Sequence, residues 1–149
     1  MNKVIFLDID GVLNNHTKID HELNTQGYCS IDPRCALTFN YLLKKTKANV
    51  VLSSAWRYMI LKEEMTLKGF NYLLITHGIF CNLIGHTCSD ELLPERSDQI
   101  QSWVHKNLPI HRYVVLDDLT ISNHPQVFVD GNRGLTPTNA LQAIKILNG

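Results

Sequence analysis

The sequence predicts an α/β fold: a doubly wound, Rossmann-like parallel sheet with helices on both faces and no large cap, in a single domain over residues 1–149. Three observations predict it. Short apolar runs at 3–7, 49–52 and 113–116, rich in β-branched and aromatic residues, suit strands buried on both faces rather than strands with one wet face. Segments with apolar residues at helical spacing lie between them, so strand and helix alternate along the chain. Each of the three runs also ends abruptly in carboxylates or hydroxyls, and in a parallel sheet the carboxyl ends of the strands share one edge.

The first strand ends in Asp8-Ile9-Asp10-Gly11-Val12-Leu13-Asn14. Asp8 and Asp10 point to the same side if the extended backbone persists through Ile9, and Gly11 permits the turn that follows. Residues 14–31 are polar and carry the turn formers Asn14, Asn15, Asp20, Asn24 and Gly27, which predicts a loop leaving from the same edge. Asp32 as N-cap and Pro33 at the first helical position open a helix over 33–47. Ala36, Phe39, Leu42 and Leu43 form its apolar face, and Lys44, Lys45 and Lys47 sit at its negative end. The second strand, Asn49-Val50-Val51-Leu52, runs into Ser53 and Ser54. Residues 56–67 read as a helix closed by Gly69 at C′, 72–75 as a short strand, and 76–93 as loop with one turn of helix. A third helix opens at Pro94-Glu95-Arg96 and aligns Ile100, Trp103, Val104 and Leu108 on one face. Another apolar strand, Tyr113-Val114-Val115-Leu116, ends in the paired carboxylates Asp117 and Asp118. The last strand is 126–129 and 130–134 a turn; Thr136-Pro137 caps a final helix that turns Ala140, Leu141, Ile144 and Leu147 to the core.

With 14 Lys and Arg residues against 14 Asp and Glu, the formal net charge is zero. That excludes a global electrostatic attraction to nucleic acid or to an anionic membrane and leaves only local patches for such partners. No apolar run approaches the roughly twenty residues that span a bilayer, and the N-terminus runs straight into a strand without a basic flank and cleavage site. A cytoplasmic protein with no membrane partner and no obligate protein partner is expected. Cys29, Cys35, Cys81 and Cys88 form no CxxC pair, in agreement with reduced thiols. His77, Cys81, His86 and Cys88 cluster at spacings that match no standard zinc pattern, so a buried or loop-stabilising role is expected for them.

The shared edge gathers Asp8 and Asp10, Ser53 and Ser54, and Asp117 and Asp118 from strand ends far apart in sequence. One carboxylate can act as nucleophile toward phosphorus while another serves as general acid and base, which marks Asp8 and Asp10 as catalytic. Four carboxylates repel one another unless a cation sits among them. Hard oxygen ligands favour Mg²⁺ over zinc, so Asp8, Asp10, Asp117 and Asp118 are candidate metal ligands. Nonbridging phosphoryl oxygens need donors, which Ser53, Ser54, backbone N–H groups at a helix start and one fixed cation supply. Among Lys62, Lys68, Arg96 and Lys106, topology selects Arg96. A helix that precedes a parallel strand starts at the carboxyl edge, which puts Arg96 there and Lys106 at the far end. Trp56 and Arg57 follow the serines and are placed to touch substrate, although Trp56 suits the core equally well.

These motifs together resemble the haloacid dehalogenase (HAD) superfamily of Mg²⁺-dependent phosphohydrolases. Asp8-Ile9-Asp10-Gly11-Val12-Leu13 looks like its first motif, Ser53 its second, Arg96 its third, where lysine is commoner, and Asp117-Asp118 its acidic fourth. The match covers nearly the whole chain. Val51-Leu52-Ser53-Ser54-Ala55-Trp56-Arg57 and 131–135 are most similar to the small HAD domains of Swiss Army Knife RNA-repair proteins and their stand-alone relatives. The resemblance implies a HAD-like phosphomonoester phosphatase. In it Asp8 attacks phosphorus to give an aspartyl-phosphate, and Asp10 protonates the leaving oxygen and then activates water. Asp8, the Asp10 carbonyl and Asp117 hold Mg²⁺, and Asp118 supports the metal or Arg96.

Superfamily members that act on small metabolites usually carry a cap inserted after the first motif or between the second and third. Here 14–50 and 54–96 are largely consumed by core elements, so an open site is expected. An open site favours a phosphate on a nucleotide, a polynucleotide end or another large substrate that covers the cleft itself, held through local contacts such as Arg57 and Arg133. The rival readings are a phosphoacceptor signalling module and a catalytically inactive phosphate-binding module. The first of these wants its phosphorylated aspartate on an internal strand, whereas the DxD here lies on the first strand, where a hydrolase keeps its own general acid.

Overall fold

The computed structural model describes residues 2–15 and 30–149, and most of the loop expected over 14–31 lies outside them. One sheet organises the chain. Its central strand β1 (Lys3–Leu7) pairs with β2 (Asn49–Leu52) on one side and with β4 (Arg112–Asp117) on the other; β3 (Leu83–His86) and β5 (Gln126–Phe128) complete the order β3-β2-β1-β4-β5, with every pair parallel. The direction of winding reverses beside β1, the position at which doubly wound sheets bind ligands.

Side-chain alternation along these strands makes two cores. Ile5, Leu7, Val50, Leu52, Val114 and Leu116 pack with apolar residues of α1 (Pro33–Thr46), the single-turn α2 (Tyr58–Leu61), α3 (Leu67–Thr76) and α5 (Pro137–Asn148). Val4, Phe6, Val51 and Val115 face the other way, onto Ile100 and Val104 of α4 (Arg96–Lys106). Phe6 is wholly buried there and meets the rings of Trp103 and Tyr113 edge-on at 5.5 and 5.6 Å. Burying such a side chain contributes about 1.5–3 kcal/mol, so the two-sided β1 is a principal source of stability. Among the described residues no helix is long and apolar enough to cross a membrane.

The helix signals act locally as their chemistry requires. Asp32 accepts the Arg34 N–H at 2.9 Å ahead of Pro33, and Lys47 closes α1 in the left-handed conformation. Thr136 and Asn139 form a reciprocal capping box at the start of α5.

The stretch from 56 to 86 departs from expectation. In place of a helix over 56–67 there is a 3₁₀ turn (Ala55–Arg57) followed by α2, which stops where Glu63 takes a positive φ of 59°. Thr66 then caps a new helix by accepting the Gly69 N–H at 3.0 Å, so Gly69 lies inside α3 and not beyond a helix end. The residues 72–75 are helical rather than a strand, because Phe70 and Leu74, four apart, both bury against the core. The missing strand is β3, within the segment expected to be loop. Its Gly85 removes the side chain that β propensity looks for, since a Cβ there would stand 3.2 Å from the Trp103 indole nitrogen.

One further glycine holds the carboxyl edge together. The Leu135 N–H donates to Val12 O and the Asp32 N–H to Leu13 O, both at 2.7 Å. Gly134 sits within this seam at φ +74°, where a Cβ would lie 2.7 Å from Cys35 Sγ and 2.9 Å from Asn14 O. Gly134→Ala is expected to lower stability by about 1–3 kcal/mol through combined strain and collision. Urea unfolding measures it, and a loss under about 0.5 kcal/mol would show that the seam relaxes freely.

Candidate active site

Sheet hydrogen bonding runs one residue beyond the strands and builds the first row of the site. The Asp8 N–H donates to Leu116 O at 3.0 Å and the Ser53 N–H to Leu7 O at 2.9 Å, so Ser53, Asp8 and Asp117 stand side by side at the carboxyl edge. Alternation sends their side chains to the same face as Val51, Phe6 and Val115, the face covered by α4. The first residue of α4 is Arg96.

Asp8, Asp117 and Asp118 offer carboxylate oxygens that lie within 4.8 Å of one another. Arg96 Nη1 donates to Asp117 Oδ2 at 2.7 Å and lies 3.7 Å from Asp8 Oδ2. The Leu119 N–H donates to the other Asp117 oxygen at 2.9 Å. Burial, then the neighbouring Asp117, push the Asp8 carboxyl up to about 9 against the opposing pull of Arg96. Burial likewise raises Asp117, with Arg96 opposing. Burial works against the Arg96 charge, yet the carboxylates outweigh it and its guanidinium holds its proton more tightly than usual. One guanidinium therefore does not supply the positive charge that three ionised carboxylates need. A hard oxygen donor set of this kind fits a divalent cation such as Mg²⁺.

The Asp10 carboxylate stands outside this trio. Its Oδ1 accepts from Trp56 Nε1 at 3.2 Å and from Asn14 Nδ2 at 3.1 Å, while Asn14 Oδ1 takes the Gly11 N–H at 2.9 Å. Trp56 is itself fully buried, with its ring edge-on to Phe70 at 6.3 Å. The core and the site thus share this one side chain, and Trp56 and Asn14 aim a carboxylate that the sequence reading placed without naming what orients it. An indole donor two residues after a strand-end serine pair and an Asn four residues after the second aspartate were the available signals.

The two serines differ. Ser54 Oγ accepts the Trp56 N–H at 3.1 Å and caps the 3₁₀ turn. Ser53 Oγ is buried with no hydrogen-bond partner, as is Thr87 Oγ1 just beyond β3, whose N–H donates to Leu52 O at 3.0 Å. A buried hydroxyl without a partner costs roughly 1–3 kcal/mol, and a ligand oxygen at Ser53 would remove that cost. Arg57 is only 2% exposed and donates to Cys88 O, Ser54 O, Asp90 Oδ1 and Gln99 Oε1 at 2.8–3.3 Å. Those bonds commit its guanidinium to bracing the turn after β2 against the start of α4. Lys106 lies in the last turn of α4, at the end away from Arg96. Among the described residues, His77, Cys81, His86 and Cys88 do not gather into a metal-holding group. Cys81 packs 3.7 Å from Asn71 Oδ1, and burial pushes its thiol up to about 11.

A family model described as the HAD domain in Swiss Army Knife RNA repair proteins matches residues 4–140. The matched span starts in β1, ends within α5 and includes every residue of the acidic edge. No curated protein matches the sequence.

Because the folded protein binds the Asp8 and Asp117 protons more tightly than the unfolded chain, the sign of the pH dependence follows. Without a divalent cation, stability from this site is full below the usual carboxyl value of 3.8 and is lost as the pH rises toward about 9. A bound cation offsets that loss. Thermal unfolding should show a Mg²⁺-induced rise in Tm that is larger at about pH 8 than at about pH 5. A rise of equal size at both values would place the cation elsewhere.

Proposed function

We propose, for a chain that belongs to the family of HAD domains found in Swiss Army Knife RNA repair proteins, that the acidic edge hydrolyses a phosphomonoester with Mg²⁺ as its cation. The observation that carries this reading is the Arg96 guanidinium set between Asp117 at 2.7 Å and Asp8 at 3.7 Å, inside a trio of converging carboxylates. Asp8, Asp117 and Asp118 would hold Mg²⁺, which when bound neutralises carboxylate charge and polarises the phosphoryl oxygens.

The chain's own groups then divide the work. The Asp8 carboxylate attacks phosphorus, forming an aspartyl-phosphate as the bond to the leaving oxygen breaks, and the Asp10 carboxyl gives that oxygen its proton. Trp56 and Asn14 hold Asp10 for this transfer through their bonds to Oδ1. In the second half Asp10, now a carboxylate, takes a proton from the water that attacks phosphorus, which frees phosphate and restores Asp8. Arg96 and the Ser53 hydroxyl steady the phosphoryl oxygens. Arg57 serves as a brace and Ser54 as a cap, so neither is assigned to the phosphate.

The substrate side of the proposal rests on the chain between β2 and α4. There α2, α3 and β3 occupy the interval, and among these described residues no separate domain is inserted. Such a site favours a phosphate on a nucleotide or, better, on a polynucleotide end that shields the chemistry from water as it binds. A protein confined to one phosphorylated form of itself would instead be a signalling module, and one that binds phosphate without turnover an inactive binding module.

Phosphate release from nucleotides, sugar phosphates and 3′- or 5′-phosphorylated oligonucleotides, with Mg²⁺ and with EDTA, tests the proposal. Asp8→Asn should lose about three orders of magnitude or more in kcat/KM with no fall in Tm, since the amide keeps the shape and removes a crowded charge. Turnover that ignores EDTA, or survives in Asp8→Asn, would end the reading. Asp10→Asn should release the leaving group only from activated esters, because it lacks the proton that a poor leaving group requires. Equal loss for activated and unactivated esters would remove Asp10 from the acid role.

A further inference from the structure

Two hollows flank the acidic edge, and their charge differs. The hollow beside Arg96, of about 310 Å³, brings Asp90 and Glu95 with it and repels a polyanion. The other, of about 500 Å³, opens past Asn15 between the starts of α1 and α5, and sets Arg34 and Arg133 against the single carboxylate of Asp32. Both guanidinium groups are well exposed, and their pairings with Asp32 at 3.7 Å and Asp130 at 3.9 Å are long, so redirecting them to a ligand costs little. Asp10, the proposed acid, accepts from Asn14, whose chain neighbour Asn15 lines this hollow. Of the two hollows, this one offers cationic side chains in excess to the polyanion behind a leaving oxygen protonated by Asp10.

The polar hollow does not end where the arginines do. Thr38 and Pro137 line it and also line a third hollow, of about 410 Å³, formed with Leu37, Tyr41 and Leu141. Leu37 is 70%, Tyr41 46% and Leu141 58% exposed. Arg34, Thr38, Tyr41 and Lys45 recur along one face of α1, with the Lys45 ammonium 5.6 Å from the Tyr41 ring centre. At about 1.5 Å per residue, Tyr41 lies roughly 10 Å along the helix from Arg34. A basic mouth at the catalytic edge thus leads onto an exposed ring with a second basic side chain beside it. Alternating cations and aromatic faces along a groove are what a single strand of nucleic acid needs, since phosphates find charge and bases find a stacking surface.

We propose that the groove between the first turns of α1 and α5 receives the single-stranded polynucleotide behind the phosphate to be removed, with Arg34 and Arg133 on its phosphodiesters and Tyr41 stacked on a base. The inference rests on the hydrolase reading above for the identity of the catalytic edge. It adds the direction in which the substrate leaves that edge and the side chains that recognise chain length.

Fluorescence anisotropy of Asp8→Asn protein, with single-stranded oligonucleotides of increasing length that share one terminal phosphate, tests it. Affinity should rise from the mononucleotide to the short oligonucleotide. Tyr41→Ala should weaken the oligonucleotide roughly tenfold and the mononucleotide much less. The Arg34→Gln and Arg133→Gln pair should lower the slope of log affinity against log salt by about 0.7 for each contact removed. Leu141→Glu provides an independent variant, because a carboxylate in the groove repels the strand without disturbing the core, and Tm checks that each variant folds. No gain with length, no effect of Tyr41→Ala and Leu141→Glu, or tighter binding of a phosphopeptide would each overturn the groove. A wild-type protein that hydrolyses nucleotides but ignores chain length loses the groove and keeps the hydrolase. One that binds oligonucleotides through Tyr41 and hydrolyses nothing loses the hydrolase and keeps the groove.

Discussion

The contact between Arg96 and Asp117 is the constraint on which the rest of the site depends. Three carboxylates converge at a buried edge, and at an effective dielectric of about 20 two like charges 4 Å apart cost roughly 4 kcal/mol. Arg96 offsets part of that repulsion and reaches two of the three carboxylates at once. To do so it must be the first residue of α4, and α4 must cover the sheet face that carries Phe6, Val51 and Val115. Packing and charge are therefore one requirement: the face on which Asp8, Ser53 and Asp117 emerge is the face to which the helix delivers its cation. What Arg96 leaves unbalanced suits a divalent cation, and burial together with the neighbouring Asp117 pushes Asp8 up to about 9.

Around this centre the chain places groups that act through others. Asn14 and the fully buried Trp56 both donate to Asp10 Oδ1, so the same indole that fills the core beside Phe70 sets the aim of a polar group at the surface. Arg57 joins the turn after β2 to Asp90 and Gln99 and so ties the Ser53-Ser54 segment to the start of α4. Gly134 closes against Cys35 and the Asn14 carbonyl, next to the side chain that donates to Asp10. Each of these is a positioning contact.

The legible parts of the sequence were those where one local signal has one structural meaning. Apolar runs that end in carboxylates marked β1 and β4, an Asp-Pro pair marked the start of α1, and Thr136-Pro137 marked α5. From the resulting parallel order, Arg96 could be separated from Lys106 by topology alone, and Arg96 lies against Asp117. The stretch 56–86 was illegible because its signals compete. Gly69 imitates a helix stop while serving inside the first turn of α3, and the aromatic and aliphatic residues of α3 imitate a strand. β3 carries a glycine at the position where a Cβ would press to 3.2 Å from the Trp103 indole. Arg57 was misleading for a related reason: its partners Cys88, Asp90 and Gln99 are 31 to 42 residues away in sequence, so nothing local marks it as buried.

The central claim is that Asp8 takes the phosphoryl group while Asp10 handles the proton. The most direct measurement is peptide mapping by mass spectrometry of Asp10→Asn protein, acid-quenched after incubation with Mg²⁺ and an activated phosphoester. The account predicts a phosphoryl group on Asp8, accumulated because the water-activating carboxylate has been removed. A phosphoryl group on Asp117 or Asp118, or turnover by this variant with Asp8 unmodified throughout, would contradict it.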